Sequence, residues 1–443
     1  MAQSASTEEE HHVLVEEYER EGVPQHARRS RMSVTLVWLG FPMVISGAAL
    51  GASLTLGMGY KSAVLGIILG NLFLFFYVGL LGQLSQKSGY NFAMLCRTTF
   101  GSRGFSIASG LLSTLVIGWF TVQTALVAVN VNVAFGWNLM LWAAITGILY
   151  TGVAIAGIKA LTWIGAISAP LFVIFGGYAV IDAIRTVSWS TMWSYGGDPT
   201  VSKVALGLSV TLVASFFIDS GTMSPDFNRW AKSRTDSWIA TASAFPIGCG
   251  FAMLIGATIA AATPQRPEMF TWLADKGGII AVLATIFMFI NLGSVCAHCL
   301  YNASVGWAHL THQKYRVIAV IFGIIGTLIA MTNAWQYFID WLNFLGVIVP
   351  PIGAVILADH LLPWTRHAGH DAFDLSSIQV IRYTPFIAWA CGSGVALFLN
   401  YNAPAWSTVV FGFITTVVVY SVIERFAPKE ASLKVPSVNS PTT

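Results

Sequence analysis

The chain carries a carboxylate in the middle of a long apolar segment, and its chemistry starts from this residue. Asp219 lies in the stretch FFIDSGTMSPDF (216–227) and is followed directly by Ser220. A charged side chain at the centre of a bilayer costs about 2.5–3.5 kcal/mol on insertion scales, so such residues usually serve a function. Asp219 can accept hydrogen bonds from a ligand, neutralise a cationic ligand or carry a proton. Its alternative role is to cap free backbone N–H groups at a helix interruption.

A second apolar segment offers a ring beside an amide. Trp119 and Gln123 are four residues apart, so in a helix their side chains share one face. This pair suits a flat heteroaromatic ligand, because such a ligand needs a π face to lie on and hydrogen bonds at its edge. The alternative for Trp119 is packing or a position at the membrane interface.

A third segment, INLGSVCAHCLYNAS (290–304), contains Asn291, Ser294 and His298. Cys296 and Cys299 are spaced for a shared helix face, but no further cluster of Cys and His that could complete a zinc site is evident in the sequence. We therefore expect neither a metal nor a cofactor. His298 can titrate near neutrality or make a structural hydrogen bond. The sequence shows no P-loop and no set of nucleophile, base and orienting group, so it predicts neither ATP-driven transport nor an enzyme.

The composition indicates what surrounds these residues. Hydrophobic residues make up 55% of the 443-residue chain and charged residues 10%, against about 25% charged residues in soluble domains. The net charge of +3 does not favour nucleic-acid binding. The five cysteines lie in or beside apolar segments and predict no disulfide framework. The polar, acidic start MAQSASTEEEHH is unlike a signal peptide. These features predict an integral, multi-pass membrane protein.

Long apolar runs predict an all-α fold with twelve membrane-spanning helices, because a spanning helix needs about 20 mostly apolar residues and a barrel would show short alternating segments. The predicted spans are 34–58, 62–85, 104–131, 136–157, 161–184, 203–224, 237–262, 279–304, 317–332, 336–360, 383–399 and 404–423. With the N-terminus inside, the outer side holds few basic residues, namely Lys61, Arg185, Lys203, Arg266 and Lys276. The positive-inside rule therefore places both termini in the cytoplasm.

Two predicted spans contain helix-disrupting residues. Span 1 has Gly47 and Gly51, flanked by Ser46 and Ser53, and span 6 has Gly221 and Pro225 near Asp219. Interrupted helices at matching positions of two halves are typical of inverted-repeat transporters, where they expose backbone groups to substrate and ions. The alternative is that the glycines allow close helix packing.

Four short motifs follow one another along the chain. VPQHARRS (23–30) resembles a VPQSAR lead-in, and RTTFGSRG (97–104) resembles R-x-x-F-G-x-x-G. PDFNR (225–229) resembles P-D-F-T-R, and the run from Phe344 through Pro350, Pro351 and Gly353 to Asp359 resembles F-L-x-x-x-x-P-P-x-G…A-D. With these motifs the chain is similar to nucleobase–cation symporters of the cytosine permease and hydantoin permease group. The resemblance implies a five-plus-five inverted-repeat fold. Its domains would be a cytoplasmic tail (1–33), a transporter core (34–360), two peripheral helices (383–423) and a second tail (424–443).

The resemblance also implies the substrate-binding set. A planar ring would lie between Trp119 and Phe217, with its edge bound by residues matching the family positions: Gln123, Asp219, Ser220 and Asn291. Two departures stand out. Asp219 falls where cytosine permeases have Ser, and the Gln that those permeases place three residues before the Trp is Val116 here.

The implied cation site uses helix 1 carbonyls near Val44 to Gly47 and the hydroxyl of Ser294. The family has two adjacent hydroxyls on helix 8, whereas the second position here is Val295, so sodium coupling and proton coupling through Asp219 both stay open.

The resulting hypothesis is a monomeric secondary symporter of the bacterial inner membrane that imports a cytosine-like heterocycle with Na⁺ or H⁺ by alternating access. The alternatives on the same fold are a basic heterocycle or amidine such as creatinine, a hydantoin, allantoin, a purine or a thiamine pyrimidine. An uncoupled channel is not favoured, because no repeated filter motif is present.

Overall fold

A computed structural model describes residue 18 and residues 20–185, 187–332, 334–364, 373–375 and 378–426. Within these ranges the regular structure is helical, and the bridge between extended segments pairs Arg29 with Ala231. Most of the two predicted tails falls outside the described residues. The all-α prediction is therefore confirmed for the part of the chain that the structure describes.

The helices are numbered here by the predicted span in which each lies. Their bounds are Arg31–Leu39 (α1a) and Ile45–Met58 (α1b), Tyr60–Ser88 (α2), Phe105–Leu115 (α3a) and Ile117–Phe135 (α3b), Leu139–Ile155 (α4), Ile158–Ile184 (α5), Leu206–Ser215 (α6a), Ile218–Thr222 (α6b) and Pro225–Asn228 (α6c), Arg234–Ala242 continued by a π-helical segment Ser243–Cys249 and by Gly250–Ala262 (α7), Gly278–Thr311 (α8), Tyr315–Ala330 (α9), Phe338–Leu361 (α10), Tyr383–Asn402 (α11) and Thr408–Phe426 (α12). Short helices at Gln25–Ala27, Phe92–Phe100, Trp189–Trp193, Met269–Ala274 and Ala334–Tyr337 lie in the connections.

Seven of the described helices are long and apolar enough to cross a membrane, namely α2, α3, α5, α7, α8, α10 and α12. Shorter apolar helices of 10–17 residues are α1b, α4, α6a and α9. Large apolar side chains such as Ile148 and Trp163 are exposed on the outside of the bundle, as expected where lipid is the solvent. The chain is a multi-pass membrane protein, and the count of twelve spans stays a prediction.

Helix α1 is interrupted between Leu39 and Ile45. The sequence-based position of this interruption, at Gly47 and Gly51, is wrong, because both glycines lie inside α1b. The unwound segment instead contains Phe41-Pro42, and a residue that precedes proline is disfavoured in helical conformation.

Helix α6 is interrupted where the sequence predicts it. Helix α6a ends at Ser215, and Phe217 has a non-helical backbone with φ −137° before α6b begins. A second interruption precedes Pro225, which starts α6c at a position that needs no N–H donor. Asp219 and Ser220 consequently lie in a helix of only five residues with interruptions on both sides.

Two carboxylates from the PDFNR motif and the α10 motif bind the segments that connect the helices of the bundle. Asp226 accepts a hydrogen bond from the backbone N–H of Phe92 at 2.9 Å, at the start of the helix Phe92–Phe100. Asp359 at the end of α10 binds Arg382 at 2.7 Å and the hydroxyl of Tyr420 at 2.5 Å. Because removing one partner of a buried ion pair leaves an uncompensated charge, the Asp359–Arg382 pair fixes α10 to the start of α11 and to α12.

Glycines bring α1b and α7 into backbone contact. A Cβ added at Gly51 would lie 1.9 Å from the carbonyl oxygen of Met253, and one added at Gly256 would lie 1.8 Å from that of Ala48. Such close approach requires that the residue facing the opposing backbone has no Cβ, as Gly51 and Gly256 do not. The packing interpretation of Gly51 is therefore the one that the structure supports.

We predict that Gly51→Ala lowers the melting temperature of the purified protein in detergent, because α1b and α7 must separate to admit the methyl group. Overpacking of this kind costs about 1–3 kcal/mol. Gly177→Ala on α5 is the matched control, since a Cβ there meets nothing within 4 Å and alanine favours the helix. Equal melting temperatures for Gly51→Ala and the wild type would contradict the assignment.

Candidate functional site

Two aromatic rings from α3b and the α6 interruption face each other in the interior. Trp119 and Phe217 are both 2% exposed. Their ring planes are parallel to within 5° and their centroids lie 6.2 Å apart. Phe216 and Phe338 pack with their edges toward Trp119 at 5.2 and 5.5 Å. The structure thus brings the predicted ring pair together and holds the indole in a fixed orientation.

The interruption of α6 also positions Asp219, which is fully buried. Its Oδ1 accepts a hydrogen bond from the backbone N–H of Ser220 at 2.7 Å, whereas Oδ2 has no partner. The Ser220 hydroxyl lies 3.8 Å from the sulfur of Cys299 on α8. One oxygen of Asp219 therefore serves the capping role, and the other is available to a ligand.

Two further polar atoms beside the ring pair have no partner. The buried indole N–H of Trp119 has no hydrogen-bond partner. Gln123, one turn further along α3b, donates from Nε2 to the hydroxyl of Ser46 at 2.8 Å, and its Oε1 is unpartnered. Buried polar groups are normally paired, so these atoms mark a place where a polar ligand fits.

Asn291 on α8 is engaged by the unwound segment of α1. Its Oδ1 accepts from the backbone N–H of Ile45 at 2.8 Å, and its Nδ2 donates to the carbonyl of Met43 at 2.8 Å and to the hydroxyl of Ser168 at 2.9 Å. Both amide hydrogens are thereby used. The carboxamide of Asn291 is therefore bonded within the protein, to two backbone groups of α1 and to the hydroxyl of Ser168.

The predicted cation-binding residues lie around the same unwound segment. Ser294 donates its hydroxyl to the carbonyl of Gly40 at 2.9 Å. The carbonyl of Val44 accepts from the backbone N–H groups of Gly47 at 3.0 Å and Ala48 at 3.3 Å, as the first acceptor of α1b. Ser294 and Val44 thus border one segment, whereas Gly47 lies within the helix beside Phe216.

His298, one turn after Ser294, fills a structural position. Its Nδ1 bonds to the Ser294 carbonyl at 2.7 Å, and its ring stacks on Phe41 at 4.6 Å with an interplanar angle of 10°. Among the described residues no group of three His, Cys, Asp or Glu side chains is placed to hold a metal ion. Cys296 contacts Thr124 at 3.5 Å, which places it on the other side of α8 from Phe41.

Phe41 is the residue that sequence reasoning missed. It lies in the unwound segment of α1, stacks on His298 and directs its edge at Phe217 across 5.0 Å and 84°. The helix-disrupting dipeptide Phe41-Pro42 was the signal that could have located it.

The site is enclosed. The residues predicted to bind substrate, Trp119, Gln123, Phe217, Asp219, Ser220 and Asn291, are all buried. A cavity of about 560 Å³ opens elsewhere, at the ends of α1b and α2, and is lined by Met58, Asp198 and Lys203 among others. None of the residues predicted to bind substrate lines that cavity.

The sequence comparisons agree with this architecture. Residues 22–423 match the family described as "Permease for cytosine/purines, uracil, thiamine, allantoin". The chain is 29% identical over 411 residues to the cytosine permease of Escherichia coli strain K12, covering 91% of this chain and 94% of that protein. It is 23% identical to the hydantoin permease of Microbacterium maritypicum, covering 73% of this chain and 75% of that one.

A solved structure shows the same fold. The chain is similar to Mhp1, a transporter of the nucleobase-cation-symport-1 family, solved in a closed conformation with bromovinylhydantoin bound. The TM-score is 0.76 at 18% identity, covering 90% of this chain and 93% of Mhp1. This likeness establishes an Mhp1-like transporter fold.

We predict that Asn291→Leu destabilises the protein, because it leaves the N–H of Ile45 and the carbonyl of Met43 unpaired in the interior. Each buried unsatisfied group costs about 1–3 kcal/mol. The measurement is thermal unfolding of the purified full-length chain in detergent.

Ser168→Ala is the matched control for Asn291→Leu. It removes one partner of Asn291 but leaves both backbone groups of α1 paired, so its melting temperature should fall less. A smaller loss for Asn291→Leu than for Ser168→Ala would show that Asn291 does not hold the unwound segment.

Proposed function

The chain belongs to the family of permeases for cytosine/purines, uracil, thiamine and allantoin, and we propose that it is a secondary symporter that imports a cytosine-like heterocycle with Na⁺ or H⁺ by alternating access. It is a transporter and not an enzyme. The observation that carries the substrate proposal is the parallel pair Trp119 and Phe217 with unpaired acceptor atoms of Asp219 and Gln123 beside it.

The ring pair supports a flat substrate. A ring held between two others needs about 7 Å between the outer planes, since carbon contacts lie at about 3.5 Å. The centroids of Trp119 and Phe217 are 6.2 Å apart and the planes are already parallel. A centroid distance is an upper limit on the spacing of the two planes, so the rings must move apart to admit a third ring, but because they are already parallel neither side chain has to reorient.

The polar atoms support a particular substrate edge. Oδ2 of Asp219 and Oε1 of Gln123 accept hydrogen bonds, and the indole N–H of Trp119 donates one. Cytosine has an amino group and a ring N–H to donate, together with a carbonyl oxygen to accept. In this proposal Ser220 positions Asp219 through its N–H, and Asn291 acts mainly by holding α1 in place.

The proposed cation lies where Ser294 meets the unwound segment of α1, with the carbonyl of Val44 and the start of α1b at Gly47 as neighbours. Sodium prefers several oxygen ligands, and Val295 removes one hydroxyl that the family uses. The alternative coupling ion is a proton carried by Asp219. We propose no cofactor, a monomer, and an inner-membrane position with both termini in the cytoplasm.

A second candidate function has a specific observation in its favour. An unpaired carboxylate oxygen at Asp219 would also suit a cationic amidine or basic heterocycle such as creatinine, because charge-assisted hydrogen bonds are stronger than neutral ones. Hydantoins, allantoin, purines and thiamine pyrimidines are further candidates.

Uptake of radiolabelled cytosine into proteoliposomes tests the proposal under an inward Na⁺ gradient at fixed pH, under an inward H⁺ gradient without Na⁺, and with neither gradient. We expect uptake that a gradient of Na⁺ or H⁺ accelerates. Failure to take up cytosine under either gradient would overturn the cytosine assignment and direct the search to basic heterocycles.

We predict that Trp119→Ala loses most cytosine uptake, whereas Trp119→Phe retains a substantial part, because the stacking face is the feature that binds. Stacking of a base on an aromatic side chain is worth about 1–3 kcal/mol. The control is Trp163→Ala on the lipid-facing side of α5, where the indole is 72% exposed. Near-normal uptake by well-expressed Trp119→Ala protein would contradict the ring-pair model.

We predict that Asp219→Asn separates the two candidate substrates. The amide keeps the shape but loses the charge, so binding of a cationic amidine should fall by tenfold or more, whereas cytosine should lose less. Competition binding with benzamidine, which is a cation at neutral pH, and with cytosine on purified protein measures both. Equal losses for the two compounds would remove the charge of Asp219 from substrate selection.

A further inference from the structure

We call the place formed by Trp119, Phe217, Gln123 and Asp219 the ring site. Helix α8 carries a line of polar residues that continues beyond it. Asn291, His298, Asn302 and His309 are spaced by seven, four and seven residues, so they lie on one face of the helix. The first two contact α1, as described above. Asn302 is fully buried, and neither atom of its carboxamide has a partner.

The neighbouring face of α3a offers two more unpartnered groups. A Cβ added at Gly306, one turn after Asn302, would lie 1.9 Å from the hydroxyl oxygen of Ser113 and 3.8 Å from Met223. Ser113 and Ser109 are one turn apart on α3a, both are fully buried, and neither hydroxyl has a partner. Ser113 therefore faces α8 one turn beyond Asn302, and Ser109 lies one turn further along α3a, where its neighbour Gly110 faces Leu310.

Hydroxyls elsewhere in these two helices behave differently. Ser304 donates to the carbonyl of Leu300 at 2.6 Å, and Thr114 donates to that of Gly110 at 2.7 Å. Such bonds to the preceding turn are the ordinary way for a helical hydroxyl to be satisfied. Ser109 and Ser113 do not use it, so their hydroxyls stay available to another partner.

This cluster lies between the ring site and the end of α8. The sulfur of Cys299, three residues before Asn302, lies 3.8 Å from the hydroxyl of Ser220. The Asn302 end of the cluster is therefore the end nearer to Asp219, the residue before Ser220. At the other end, Trp307 donates to the hydroxyl of Thr114 at 3.1 Å, and His309 packs against Phe105 at 5.5 Å. In the proposed topology this direction leads to the cytoplasm.

We propose that Asn302 and Ser113 form a second, transient binding site for the transported heterocycle on its route to the cytoplasm, with Ser109 as the next polar group along that route, a site that rests on the proposed function. A carboxamide donates and accepts side by side, as asparagine does when it binds the edge of a base. The ligand class is a neutral heterocycle with an adjacent donor and acceptor. Because the three side chains are uncharged, they bind such a ligand weakly enough for it to leave, as permeation requires.

Asn302→Leu tests the site, with Ser304→Ala as the matched control on the same helix. We expect Asn302→Leu to lower the maximal rate of cytosine uptake into proteoliposomes about tenfold, equivalent to about 1.4 kcal/mol in the barrier. The cytosine Kd of the purified protein should change less than twofold, because the ring site is intact. The melting temperature should not fall, since leucine replaces two unpaired polar atoms.

Ser113→Ala provides a second, smaller change that should lower the uptake rate in the same direction without changing Kd. Wild-type uptake rates in both variants would overturn the second site, as would a tenfold weaker Kd in Asn302→Leu, which would assign Asn302 to the ring site. Wild-type protein that neither binds nor transports cytosine, creatinine or hydantoin would overturn the proposed function itself.

Discussion

The structure depends on one constraint: where α1 unwinds inside a membrane protein, its backbone N–H and C=O groups have no water to bond. Two side chains of α8 meet this demand. Asn291 pairs with the N–H of Ile45 and the carbonyl of Met43, and Ser294 pairs with the carbonyl of Gly40. Because unpaired groups in this environment are costly, the unwound segment is fixed relative to α8.

The position of that segment determines the geometry of the ring site. Phe41 stacks on His298 of α8 and directs its edge at Phe217, and Phe217 faces Trp119 of α3b. Residues from α8, α1, α6 and α3 therefore form one continuous set of ring contacts. In the proposed transport cycle, the heterocycle binds at the Trp119–Phe217 end of this set, and the cation binds at the other end, where Ser294 meets the unwound segment of α1. A ligand shifts a conformational equilibrium only through different affinities for the two states, and here both ligands would act on shared contacts.

Much of this arrangement could be predicted from the sequence. Long apolar runs predict the helices, and the crowding of Gly221 and Pro225 near Asp219 predicts the α6 interruption. The family resemblance pairs Trp119 with Phe217. The α1 interruption is harder to place, because the sequence offers both the dipeptide Phe41-Pro42 and the glycines Gly47 and Gly51, and only the contact of Gly51 with α7 shows that this glycine serves packing. The hydrogen bonds of Asn291 to α1 could not be predicted from the sequence, since its partners there lie about 246 residues away in the chain.

The central claim is that a flat nitrogen heterocycle and a coupling cation bind to this one set of residues. Equilibrium binding of labelled cytosine to the purified full-length chain tests it most directly, with Na⁺ varied at fixed pH and pH varied at fixed Na⁺. The account predicts one cytosine per chain, with a Kd that one of the two cations tightens. By linkage, cytosine must tighten the binding of that cation by the same factor. A cytosine Kd that is indifferent to both cations, or a chain that binds no heterocycle, would contradict the account.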